Sequence, residues 1–247
     1  MEEVRFVDTM RTVLISVLVA LLAAVSTTHA EAPKPSPTPV SWELEINVSS
    51  PSRIVVNTGH EPQVFWYVLY TIVNNTGREV TFRPEIVRVN EIESEVPAER
   101  ARAMPNKAAR LTVDSALMGP DPRVYRAIRQ RHAKTHPFLV TPVDVMGPLL
   151  QGRDNARTGV AIFPDLDPRV SKFTIYFSGL SGETIKRRNP AYDKSRGRSG
   201  DAGDDDTGNQ KYFVLRKTLA IPYTLPGDVR TRGRATPVLG KMTWVMR

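Results

Sequence analysis

The sequence predicts a mainly β protein: an antiparallel β-sandwich that carries a short helical insertion and follows an N-terminal hydrophobic helix. Three observations lead there. Ser41 to Val48 alternates, with Trp42, Leu44, Ile46 and Val48 on one face and Glu43, Glu45 and Asn47 on the other, the pattern of a half-buried strand. Lys172 to Ser178 alternates in the same way, with Phe173, Ile175 and Phe177 against Thr174, Tyr176 and Ser178. Val64 to Val73 is apolar on both parities apart from Thr71, so this strand lies mid-sheet and is covered on both sides. Two facing sheets cover one side only, and the segment at about 90–158 is the expected cover for the other.

The chain opens with a targeting pattern. Val13 to Val25 is an apolar run that follows Arg11 and leads to Thr28-His29-Ala30, with small residues at −3 and −1 of a cleavage site. Residues 1–30 therefore read as a signal peptide, and the protein as exported to the periplasm or cell envelope. The run is short of the ~20 residues of a membrane span; the alternative is an uncleaved anchor, which would be the protein's one membrane contact. Glu2, Glu3 and Asp8 against Arg5 depart from the positive charge such peptides carry, and a start at Met10 would remove them. The sequence has no cysteine, which closes the lipoprotein route and excludes disulfides, thiolate nucleophiles and cysteine metal sites. Residues 31–40 read as a proline-rich linker, extended over Ala32 to Pro39, and residues 41–247 as one domain.

Along that domain, Arg53 to Val56 and Val64 to Val73 are strands joined through Gly59. Asn74-Asn75-Thr76-Gly77 is a turn signal, so Glu79 to Val89 is expected as the second strand of a hairpin. Its parity slips between Val80/Phe82 and Val87/Val89, with Pro84 marking a bulge or edge. Prolines 97, 105, 120, 122, 137, 142 and 148 cut the insertion into short pieces. A helix is expected over Asp121 to Lys134, with Asp121 as N-cap, Pro122 in the first turn and Val124, Tyr125 and Ile128 as its apolar stripe. Strands return at Gly159 to Phe163 and Lys172 to Ser178, a turn at Gly179 to Gly182, a mobile loop at about 189–210, and strands at Tyr212 to Leu225 and Lys241 to Met246. Pro222 marks an edge or bulge.

Tyr67 to Ile86, with the turn at its middle, is similar to the hairpin corner of bacterial immunoglobulin-like domains. GVAIFPDLDPRVSKFTIYFSGLSGE (159–183) together with YTIVNNTGREVTF resembles exported immunoglobulin-like β-sandwich proteins of planctomycete-type bacteria. The resemblance implies an immunoglobulin-like fold and an envelope compartment; it implies no activity and lends no catalytic residues.

The formal net charge is +8, and residues 1–30 hold two basic and three acidic side chains, so the remainder is slightly more positive still. Outside the cytoplasm the polyanions within reach are envelope glycans, lipid head groups and acidic proteins rather than nucleic acid. The residues expected to contact an anionic partner are Arg123, Arg126, Arg129, Arg131 and Lys134, on the polar face of the expected helix. His132 and His136 have i, i+4 spacing, but Ala133 stands where a zinc protease needs Glu, and His60 is the one further histidine outside the signal peptide. Gly179-Leu180-Ser181-Gly182-Glu183 lacks the second glycine of a nucleophile elbow. No nucleotide-binding glycine motif is present. Asp201, Asp204, Asp205 and Asp206 lack the distal glutamate of a calcium loop. The reading is a non-catalytic envelope or periplasmic binding or scaffolding protein with no catalytic residue, metal or cofactor assigned; the alternatives are a hydrolase on a β-sandwich scaffold and a membrane-anchored stalked protein.

Overall fold

A computed structural model describes residues 32–59, 61–92, 110–193 and 209–247. The N-terminal helix, His60, the prolines at 97 and 105, and the four clustered aspartates lie outside the described residues. Thirteen strands and one α-helix are described: β1 (Glu45–Val48), β2 (Ser52–Asn57), β3 (Pro62–Val73), β4 (Val80–Phe82), β5 (Glu85–Ile92), β6 (Arg110–Ser115), α1 (Pro122–Arg131), β7 (Gly147–Leu149), β8 (Arg157–Pro164), β9 (Val170–Ser178), β10 (Thr184–Arg188), β11 (Tyr212–Thr224), β12 (Val238–Leu239) and β13 (Thr243–Met246). The chain is mainly β, every named strand pairing is antiparallel, and the described residues from Pro33 on form one compact unit. Among the described residues no helix is long and apolar enough to cross a membrane.

The first sheet is built around β3. Strand β8 pairs with Phe65 to Ile72, overlapping the stretches taken by both β1 and β2, so β8 holds one edge and β1 and β2 follow one another along the other. Between Val48↔Tyr70 and Ser52↔Tyr67, three edge residues oppose two of β3. That is a one-residue bulge, and Ser49 spans it: its N–H donates to the Leu69 carbonyl at 2.8 Å and its Oγ accepts from the Leu69 N–H at 3.0 Å. A one-residue slip sends following side chains to the opposite face. Ile46 and Val48 accordingly pack with Trp66, Val68, Tyr70 and Ile72, whereas Ile54 and Val56 pack with Tyr67 and Leu69.

The second sheet runs β6-β5-β9-β11, with β12 and β13 on the far edge of β11 and β10 pairing with its N-terminal half. Pro222 sits where the far edge passes from β13 to β12, and only its carbonyl is used there, accepting from Gly240. Phe173, Ile175 and Phe177 of β9 and Leu219, Ile221 and Tyr223 of β11 meet the even-numbered residues of β3 in one buried cluster. The odd-numbered Tyr67 and Leu69 face the other way beside Ile162 and Val160 of β8, and Val124 and Ile128 of α1 pack against them together with Leu139. Each of these apolar side chains contributes about 1.5–3 kcal/mol by leaving water.

The structure corrects four expectations. Val80 to Val89 does not return along β3, because both edges of β3 are already occupied. Instead β4 pairs with β7 and β5 joins the second sheet, the chain changing sheets at Arg83-Pro84. The turn signal serves that exit: Asn74 Nδ2 donates to the carbonyls of Arg78 and Leu149, both at 2.8 Å, and its Oδ1 accepts from Thr76. On β5 the buried positions are Ile86, Arg88, Asn90 and Ile92, not Val87 and Val89. Gly179 to Gly182 does not reverse the chain. Strand β9 leads into β10 along β11, and the residues between leave the ladder to bond Trp42 and Leu44. A Cβ on Gly182 would stand 2.4 Å from Trp42 Nε1, so only glycine lets the two segments approach. The helix ends at Arg131, leaving Lys134 in the turns beyond it. Within the linker, the Ser36 N–H donates to Glu183 Oε1 at 2.8 Å.

Candidate anion-binding surface

Helix α1 forms where the sequence places it because its first turn is specified twice. Asp121 accepts from the Arg123 N–H at 2.8 Å, and proline occupies the first helical position, where a missing N–H costs nothing. Val124 and Ile128, fully buried, fix the helix to the outer face of the first sheet. Tyr125 adds a bond from its hydroxyl to the Leu139 carbonyl at 2.6 Å.

That docking sorts the five expected contact residues. Arg126 and Arg129 are exposed and make no ion pair with any described residue. Arg123 leans on the β2–β3 turn, its Nη1 2.9 Å from where a Cβ on Gly59 would stand, and lies 3.9 Å from Asp121. Lys134 is exposed beyond the helix end. Arg131 bends back over the edge of the first sheet, its Nη1 donating to the Arg53 carbonyl at 2.9 Å and to the Tyr67 hydroxyl at 3.4 Å. Arg131 is therefore engaged at the sheet edge, whereas Arg126 and Arg129 are not.

At the helix end Tyr67 Oη lies 2.8 Å from His132 Nε2. Burial, then the positive charges of His136 and Arg131, lowers the His132 pKa below its ordinary value. The His132 and His136 rings meet edge to face at 5.8 Å, and no group of three or more metal-ligating side chains exists among the described residues. Ser181 is buried, with its Oγ accepting from the Glu183 N–H.

Beside Arg131 opens a cavity of about 390 Å³ between β2 and the segment 233–237. Arg53, Arg131 and Arg234 line it along with Ser50, Ser52 and Thr236, and among the described residues no acidic one does. Nothing in the local sequence signals it, because its arginines are far apart in the chain and sit among residues with no motif.

Two further polar clusters escape sequence reasoning. Arg88, only 1% exposed, donates through Nη2 to Asp114 at 2.7 Å and to the Pro164 carbonyl at 3.0 Å, and lies over the Phe163 ring. Lys217 is buried between Glu43 and Glu183 and lies 5.2 Å from the centre of the Trp244 ring. Burial by itself lowers the Lys217 pKa, but hydrogen bonds and charge from the two glutamates outweigh it and leave it raised. Both clusters draw their members from distant strands, so their signal is the register, which the sequence does not carry.

Comparison with known proteins finds no matching family model, no matching curated protein and no matching solved structure.

Proposed function

We propose that this is an exported, non-catalytic envelope or periplasmic protein, an immunoglobulin-like β-sandwich related to those of planctomycete-type bacteria, that binds or scaffolds an anionic envelope component through the outer face of α1. The observation that carries this reading is the isolation of Arg126 and Arg129. They stand three residues apart on a helix whose other face is buried, with Arg123 three residues before, and no described carboxylate pairs with either. Like charges at this spacing weaken a helix by a few tenths of a kcal/mol per pair, a cost that an anionic partner reverses. The basic balance of the chain and the export signal support the same reading.

The test is co-sedimentation of the mature protein with phosphatidylglycerol vesicles, with phosphatidylcholine vesicles as control. Binding is expected to weaken as salt rises and to disappear in Arg126→Glu/Arg129→Glu, while thermal stability stays within about 0.5 kcal/mol, as for exposed substitutions in general. Undiminished binding by the folded double variant would remove α1 as the contact. Intact mass of the purified protein decides between a cleaved signal peptide and an anchored stalk.

A further inference from the structure

The cavity between β2 and segment 233–237 is a different kind of surface from the outer face of α1. Its volume, about 390 Å³, lies within the range of small-molecule sites, roughly 300–1,000 Å³. Three arginines line it, and Arg53, Arg131 and Arg234 make no ion pair with any described residue. Arginine does not deprotonate in proteins, so three permanently charged side chains border the cavity.

The donors are also set in place. Arg131 is fixed by two bonds through Nη1, to the Arg53 carbonyl and the Tyr67 hydroxyl. Its Nε and Nη2 have no partner among the described residues. Arg53 Nε is buried without a hydrogen-bond partner, and a buried donor left unsatisfied is unfavourable. The wall that carries Arg234 is stiffened as well. Asp228 Oδ1 accepts from the N–H groups of Arg230 and Thr231, each at 3.0 Å, and Arg232 Nε donates to the Gly227 carbonyl at 2.8 Å. Pro51 and Pro237 also line it.

We infer that this cavity is a binding site for a small tetrahedral oxyanion, a phosphate or sulfate group borne by a soluble compound. Guanidinium forks match the oxygen geometry of such groups, and the hydroxyls of Ser50 and Thr236 supply further donors, that of Ser52 being turned to the Ser50 carbonyl at 3.5 Å. The inference rests on the anionic-partner reading only through Arg131, which the two share; Arg53 and Arg234 belong to the cavity alone.

The experiment is calorimetric titration of the mature protein with inorganic phosphate and, separately, inorganic sulfate, in chloride buffer of matched ionic strength. Saturable binding of either ion is expected, and the preferred ion assigns the site to phosphate- or sulfate-bearing compounds. Arg234→Gln is exposed and leaves the fold intact; it is expected to weaken binding by about tenfold or more, the equivalent of one charge-assisted hydrogen bond. Arg53→Gln should do the same. Arg126→Glu/Arg129→Glu should bind the ion as the parent does, even where it has lost vesicle binding, so failure of one idea leaves the other standing. No saturable binding by the parent protein, or parent-like affinity in Arg234→Gln, overturns the site, and loss confined to the helix double variant moves it to α1.

Discussion

Arg88 and Arg126 carry the same guanidinium and meet opposite fates. Arg88 sits on the inward face of β5, almost wholly buried, and receives a carboxylate, a backbone carbonyl and an aromatic ring. Burial, the largest influence, lowers its pKa, and the hydrogen bond and charge of Asp114 oppose that. Arg126 stands in water with no described counter-charge. A buried charge cannot be left alone, because desolvation costs several kcal/mol per ion, whereas an exposed one can. Where partners have been assembled around an arginine the role is to hold strands in register, and where they are missing from an ordered surface the charge is free for something outside the chain. The cavity arginines lie between these extremes, ordered but unpaired.

The sharpest way to break this contrast is to remove the partner from the buried arginine. Asp114→Ala strips Arg88 of its carboxylate and Asn90 of an acceptor at 2.7 Å, and a loss of about 3–5 kcal/mol is expected in urea unfolding. Replacing both members together, as Arg88→Met/Asp114→Leu, should cost less than Asp114→Ala alone, since no orphaned charge remains. A double variant as unstable as the single one would mean that the site depends on packing, not on pairing. Next in size is the platform of the exposed arginines. Ile128→Ala, at a position with no exposure, should cost about 2–4 kcal/mol in the same measurement. If it unfolded α1 alone, seen as helical circular dichroism lost at a lower midpoint than the sheet, the helix would be a separable cover.

Much of the fold is legible in the sequence, and the reason is periodicity. The alternation of Lys172 to Ser178 reports its own burial, and the doubly apolar Val64 to Val73 implies a cover that α1 supplies. What periodicity cannot report is pairing. Asn74 to Gly77 has the composition of a hairpin turn, and only the occupation of both edges of β3 sends the chain into another sheet. Inward polar residues are misread for a related reason. Arg88 and Asn90 share a face with Ile86 and Ile92, and parity read from hydrophobicity assigns that face to solvent. The candidate site divides along the same line: α1 and its arginines are local and visible, while the cavity is assembled from 50–53, 131 and 233–237.

The smallest expected effect concerns His132, which is half-buried and lies between the paired and unpaired regimes. Two influences compete there. It caps the C-terminal end of α1, and a helix end favours the protonated form by roughly 0.3–1 kcal/mol. Burial, His136 and Arg131 oppose protonation and prevail, holding its pKa below the ordinary 6.5. The hydrogen bonds agree, for Arg131 donates to the Tyr67 hydroxyl, which leaves the Tyr67 proton to point at His132 Nε2. A protonated Nε2 would be a donor, and Tyr67 would have to accept from both sides. With the folded pKa depressed, the unfolded chain takes up the proton first on acidification. The contribution is complete above pH 6.5 and is lost as pH falls below it. Urea midpoints measured from about pH 7.5 to about pH 5.5, above the range where ordinary carboxylates titrate, should therefore decline toward acid. His132→Gln should flatten that slope. A midpoint that rises on acidification would show that the helix end prevails over burial, and an unchanged slope in His132→Gln would place its source elsewhere.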